Sequence, residues 1–184
     1  MPIRPGPPHR TVRPGGVTLG AVTWHLAQLN IGRLRAPVDD PATAEFMAAL
    51  DPINALAEGS SGFVWRLQTE EGNATSIRAF EGDDLMILNL SVWESLEMLA
   101  DYVYRTAHTA FLQRRREWFE RLGEAYLVLW WIPAGTLPTI DEALARLDHL
   151  RASGPTAEAF TFRQPFARPG GRAIPTDERN TCPV

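Results

Sequence analysis

Apolar positions in this chain recur with two periods, one near 3.6 and one of 2. The run VWESLEMLADYVYRTAHTAFLQRRREWFERL, residues 92–122, lies in a stretch free of Pro and Gly. With Leu96 at zero and ~100° per residue, Leu99, Ala100, Val103, Ala107, Ala110 and Trp118 fall within roughly ±60°. The pattern predicts one long helix from Trp93 to Leu122 with that stripe facing the core. Glu94, Glu97, Asp101, Arg105 and Gln113 make the solvated face. Tyr104, His108, Phe111, Leu112 and Arg115 fall at the stripe's edge, at roughly 60–160° on the same wheel.

The remaining segments alternate between the two periods. Val17–Leu29 predicts a strand with Val22, Trp24, Leu26, Gln28 and Asn30 on one face and His25, Ala27 and Leu29 on the other. Pro41, behind Asp39 and Asp40, opens a helix carrying Phe46, Met47, Leu50, Ile53 and Leu56, with a kink at Pro52 and a stop at Gly59. GFVWRLQ (62–68) and LMILNLSVW (85–93) predict two further strands, and on the second Asn89, Ser91 and Trp93 share a face. After Gly123, AYLVLWWI (125–132) is apolar on both faces and must be covered twice. A short helix over 140–150 and a last strand over 159–166 complete the set. Residues 1–16 and 167–184 are rich in Pro and Gly and read as loose tails around one domain, 17–166.

The order β-α-β-β-α-β plus an added α-β predicts an α+β fold, the ferredoxin-like split βαβ antiparallel sheet with a C-terminal extension. Helices in that arrangement lie on one face. The tryptophans leave the other face apolar, and a sheet-to-sheet homodimer is the simplest cover.

Composition narrows the function. With 184 residues, 45% hydrophobic and 22% charged, the chain is long enough for one packed core. A net charge of −4 argues against a nucleic-acid surface. No apolar run reaches a membrane span, and no secretory leader is evident. The single cysteine, Cys182, excludes an internal disulfide and a cysteine-rich metal cage, so a reducing, cytoplasmic setting is expected. Dinucleotide, P-loop, nucleophile-elbow and zinc-protease signatures are all absent.

The segments VWESLEMLADYVYRTAH, REWFERL, LWWIPAGTLPT and GPTAEAFTF resemble a bacterial family known mainly as a domain of unknown function. That family is similar to the dimeric α/β-barrel superfamily, which includes antibiotic-biosynthesis monooxygenases, haem-degrading monooxygenases and chlorite-dismutase-like proteins. The resemblance spans roughly residues 17–166. It implies a ferredoxin-like fold paired into a dimer, with a pocket between sheet and helices. In the haem-degrading branch, a first-strand Asn would correspond to Asn30 and an axial His to His108, which follows the Trp93-Glu94-Ser95 element. The mid-helix Trp of that branch has no counterpart, and Tyr102 or Tyr104 lies nearest. The spacing from Trp93 to His108 is about one helical turn short.

His108 is the leading candidate, because imidazole titrates near neutrality and binds iron. The ordinary alternative is a histidine bonded to a backbone carbonyl at a helix flank or set in a subunit contact. Arg115 can receive a carboxylate or propionate, or be simply solvated with Arg114 and Arg116. Asn30 and Asn89 can orient a substrate oxygen or bond a neighbouring loop. Trp24, Trp65 and Trp93, with Phe111 and Leu112, can line an aromatic pocket or fill the core. The expected function is a monooxygenase-like enzyme acting on a hydrophobic or aromatic small molecule. His108 serves as base, and Tyr104 with Asn30 or Asn89 stabilises the oxyanion. Two alternatives stand beside it: a haem protein with His108 axial and Arg115 near a propionate, and a non-catalytic dimeric binding module.

Overall fold

The computed structural model of the chain describes residues 22–70 and 72–172, apart from the side chain of Ala110. Four strands form one antiparallel sheet: β1 (Trp24–Arg33), β2 (Phe63–Arg66), β3 (Met86–Trp93) and β4 (Leu127–Pro133), in the order β2-β3-β1-β4. Between them lie α1 (Ala44–Glu58), entered through a 3-10 turn at Pro41–Thr43, then α2 (Leu96–Arg105), α3 (His108–Trp118) and α4 (Ile140–Ser153). The strand order is that of the split βαβ fold, as the alternation predicts.

The register fixes which residues share a face. Leu26, Gln28 and Asn30 of β1 stand opposite Trp93, Ser91 and Asn89 of β3, and opposite Trp131, Leu129 and Leu127 of β4. Directly paired residues point to the same side. On that side Leu26, Trp93 and Leu129 pack with Ala57 of α1, Leu99 and Tyr102 of α2, and Phe160. On the other side Ala27, Leu29 and Ile31 join Leu88, Leu90, Val92, Val128, Trp130 and Ile132 beneath Ala143, Leu147 and Leu150 of α4.

Helices therefore cover both faces, where the sequence predicted one. The segment β4–α4 returns the chain over the far side, and the face expected to receive a second subunit carries α4 instead. The covering demanded by a strand apolar on both sides is met within the chain.

Three other expectations change. β1 begins at Trp24 and runs on to Arg33, beyond the predicted end at Leu29; residues 17–21 lie outside the described residues. Gly32 suits this extension, because a Cβ there would meet the Phe119 ring at 2.6 Å. The long helix is two helices, broken at Thr106, whose backbone is extended (φ −116°, ψ −178°). Its Oγ1 donates to the Tyr102 carbonyl at 2.6 Å and accepts from the His108 N–H at 3.2 Å. Thr109 Oγ1 donates to the Val103 carbonyl at 3.2 Å. Two hydroxyls thus satisfy backbone groups that an unbroken helix would have paired, which is how Thr competes with helix. α3 in turn ends at Trp118, and Phe119 turns extended to bridge Leu34. The final predicted strand is a set of turns and bridges, and it joins the sheet only where Phe160 and Leu129 exchange both backbone bonds at 2.8 Å. α1 continues through Pro52.

Candidate functional site

The helix-facing side of the sheet carries an unusual strip. Leu26 and Trp93 begin it, buried against Leu99, Tyr102 and Phe160. Next come Gln28 and Ser91, 5% and 6% exposed, and then Asn30 and Asn89, half-buried and exposed respectively. Beyond them Phe119 covers Gly32 and packs edge-on against Phe46, ring centroids 5.0 Å apart. Four polar side chains thus lie between two aromatic clusters, on a surface otherwise built from Leu and Trp. They are deepest at Trp93 and reach solvent at Asn89.

Polar groups this deep need partners. The Trp93 indole Nε1 donates to Ser91 Oγ at 3.0 Å, and Ser91 Oγ donates to Gln28 Oε1 at 2.8 Å. The side-chain amides of Asn30 and Asn89 have no hydrogen-bond partner among the described residues. They are paired through their backbones and leave their amides to the surroundings.

His108 opens α3 at one end of an aromatic ladder. Phe63 meets Trp93 edge-on at 5.4 Å, Trp93 stacks on Tyr102 at 5.1 Å, and Tyr102 lies 4.8 Å from the His108 ring. Tyr102 donates its hydroxyl to the Ile53 carbonyl at 3.3 Å, tying the ladder to α1, and burial raises its phenol pKa. Burial also pushes the His108 imidazole below its ordinary value, against a smaller opposing effect from the Val103 backbone carbonyl. Its Nδ1 is buried without a partner. The ring is therefore neutral at pH 7 and holds an unused nitrogen in a low-dielectric setting.

The other sequence candidates scatter. Asn30 and Asn89 come together, and Trp93 joins them through Ser91. Trp24, half-buried, is at the far end of the same strand. Trp65 stands opposite Val92 and packs on the α4 side, away from the amides, because the irregular pairing between Phe63 and Trp65 sets its face. Tyr104 is 39% exposed and meets Phe162 edge-on at 5.5 Å, so it does not reach the Tyr102–His108 contact. Leu112 is exposed, and Phe111 stacks on Trp118 at 6.1 Å. The break at Thr106 redirects α3 relative to α2, and a single wheel across both helices misassigns these positions.

Arg115 lies 4.1 Å over the Tyr126 ring and 5.9 Å from that of Phe119. A haem ligand needs an imidazole nitrogen facing room for the macrocycle. Here one face of His108 is covered by Tyr102, Nδ1 is enclosed, and Arg115 is engaged on aromatic rings, so the His108–Arg115 pair does not fit a haem. A cavity of about 550 Å³ lies elsewhere, between Ile31, Arg33, Phe80, Met86, Leu122 and Arg151. Its arginines are already paired: Arg33 with Asp83 at 2.8 Å and Glu120 at 2.7 Å, and Arg151 with Glu124 at 2.8 Å. Among the described residues no group of three acidic, His or Cys side chains is placed to hold a metal, and no helix is long and apolar enough to cross a membrane.

Sequence reasoning placed Gln28 and Ser91 on their strand faces and named Tyr102 beside the missing helix Trp, but gave none of the three a site role. Alternation places Gln28 between Leu26 and Asn30 on a face that should be apolar, which was the available signal.

A family model described as a domain of unknown function, DUF3291, matches residues 25–176. No curated protein matches. Among solved structures, SnoaB, a cofactor-independent oxygenase from Streptomyces nogalater, is 15% identical with a TM-score of 0.41, covering 62% of this chain and 98% of that one. The NE2512 protein of unknown function from Nitrosomonas europaea is 14% identical with a TM-score of 0.41, covering 64% of this chain and 97% of that one.

Proposed function

This chain belongs to the DUF3291 family, and we propose that it is a monooxygenase-like enzyme for a small hydrophobic or aromatic molecule bound over the amide strip. The reading is carried by one observation. Unpartnered Asn30 and Asn89 amides share a sheet face with the Trp93 end of a ladder that closes on a buried, neutral imidazole. The amides hold the substrate oxygen, and the aromatic clusters on either side grip its apolar body.

In the reaction, an acidic phenol or enol binds ionised over the amide donors with its electron pair delocalised over the ring system, and His108, two stacked rings away behind Trp93 and Tyr102, stays out of the proton transfer. Dioxygen is the second substrate. It accepts that electron density as a carbon–oxygen bond forms, the peroxide takes a proton from solvent, and loss of water leaves a carbonyl. The chain's own residues supply the oxyanion donors and the apolar walls. Tyr104 has no part in it. A homodimer belongs to the proposal only through surfaces other than the sheet faces, both of which are covered.

The test is dioxygen uptake with a panel of phenols and cyclic 1,3-diketones. Asn30→Ala and Asn89→Ala should each lower turnover by about tenfold or more. Uptake that is absent from the wild type, or indifferent to both Asn30→Ala and Asn89→Ala, overturns the reading.

A further inference from the structure

We infer that Gln28 is a specificity-determining residue, whose amide N–H₂ is locked outward as a donor for a carbonyl, enolate or phenolate oxygen of the ligand. The inference rests on the reading of the amide strip as the ligand face. It adds the polarity of the group that the deepest position accepts.

The polarity follows from hydrogen-bond chemistry in one direction. An indole N–H can only donate. Trp93 Nε1 donates to Ser91 Oγ at 3.0 Å, so that oxygen is an acceptor and its own hydrogen must go elsewhere. The neighbour within reach is Gln28 Oε1 at 2.8 Å, and a carbonyl oxygen can only accept. With Oε1 held by Ser91, the Gln28 nitrogen is turned to the opposite side. Reversing the amide would set N–H₂ against a hydroxyl already receiving the indole hydrogen, and would leave Ser91's hydrogen unpaired in a buried site. Trp93 itself is 1% exposed and fixed by Phe63 and Tyr102, so the relay starts from an immobile donor.

The Gln28 nitrogen makes no hydrogen bond to a described residue, although the side chain is more than nine-tenths buried. Among the described residues, the fully enclosed side-chain polar atoms without partners are the Nδ1 atoms of His25 and His108. The Gln28 nitrogen is thus not fully enclosed, and along the strip its neighbours are the half-buried Asn30 and the exposed Asn89. Two N–H donors at the deep end of an apolar strip discriminate by what they leave unpaired. A ligand with an acceptor oxygen satisfies them, and an isostere without one buries them unsatisfied.

Binding of 2-acetylnaphthalene and its oxygen-free isostere 2-isopropenylnaphthalene, measured by isothermal titration, tests this. The wild type should prefer the ketone by at least tenfold, and Gln28→Met should reduce that ratio to about one. A folding defect weakens both probes together and leaves the ratio alone, so the ratio reports the donor itself. Ser91→Ala releases the amide to rotate, and should lower the ratio by a smaller factor while far-ultraviolet dichroism shows the fold intact. Should Gln28→Met fail to fold, the Ser91→Ala ratio decides. Binding of both probes with no preference, or a preference unaltered in the variants, overturns the role of Gln28 and leaves the amide strip standing as a ligand face. Failure of both probes to bind the wild type overturns both.

Discussion

The two faces of the sheet are built from the same three long strands and serve different ends. On the α4 side Ala27, Leu29, Leu88, Leu90, Val92, Val128, Trp130 and Ile132 are apolar and buried, with His25 at one end of β1 and Arg33, beside the cavity, at the other. On the α2 side the same strands present Gln28, Asn30, Asn89 and Ser91, and only Ser91 with Gln28 and Trp93 forms a bonded set. The register makes this difference. Pairing Gln28 with Ser91 and Asn30 with Asn89 collects the polar residues of two strands into one patch. A slip of one residue would scatter them and bury Asn30 under α4. The apolar face holds the fold together, and the polar face gives up packing in order to keep unpaired donors near solvent.

The largest expected effect breaks the closed face. Leu29→Ala removes a fully buried side chain beneath α4, and should cost about 2–5 kcal/mol in urea unfolding. Asn30→Ala, at the next position, removes an amide with no partner and should change stability by less than about 1 kcal/mol. Equal losses at the two positions would mean that Asn30 is part of the packing and that the faces do not differ as described.

A smaller effect comes from acid. Burial depresses the His108 pKa in the folded chain, so the unfolded state takes up a proton first as pH falls below the ordinary imidazole value of about 6.5. Stability tied to His108 is complete above that value and drains away as pH falls towards the folded pKa. The slope is at most about 1.4 kcal/mol per pH unit for one proton. His108→Gln should flatten this acid limb of the unfolding curve. An unchanged limb would place the ring in solvent.

The smallest concerns the surface that joins α1 to α3. Arg114 bridges Glu45 and Glu117 and holds both carboxyls below their usual range, yet all three groups are open to water. Arg114→Ala should leave ligand binding unchanged and shift the thermal midpoint little, with any shift fading in salt. A loss of binding would tie this surface to the polar face.

The sequence made the strand order legible, because alternation was clear in β3, helix periodicity in α4, and β4 stood out as a run apolar on both faces. The break at Thr106 was not, since a Thr in a helical pattern is ordinary until its hydroxyl takes the backbone's bonds. Burial of both sheet faces within one chain was half legible. The sequence at 125–132 demanded two covers, but nothing local said that α4 would supply the second. Asn30, Asn89 and Trp93 were visible as polar or aromatic positions on single strands. Their meeting depends on register between segments some sixty residues apart, which no local pattern encodes. Tyr104 and Leu112 were misplaced for the opposite reason: a wheel drawn through a helix that is in fact two.

The most direct test of the central claim is nitrogen–proton correlation NMR of the side-chain amides during titration with 2-acetylnaphthalene. The N–H₂ signals of Gln28, Asn30 and Asn89 should shift together and saturate with one binding constant, while the Trp130 indole, held by Glu142 on the opposite face at 3.1 Å, stays still. Shifts confined to Trp130 and the α4 side, with the three amides unmoved, would contradict the claim that the polar face of the sheet is where this protein meets its ligand.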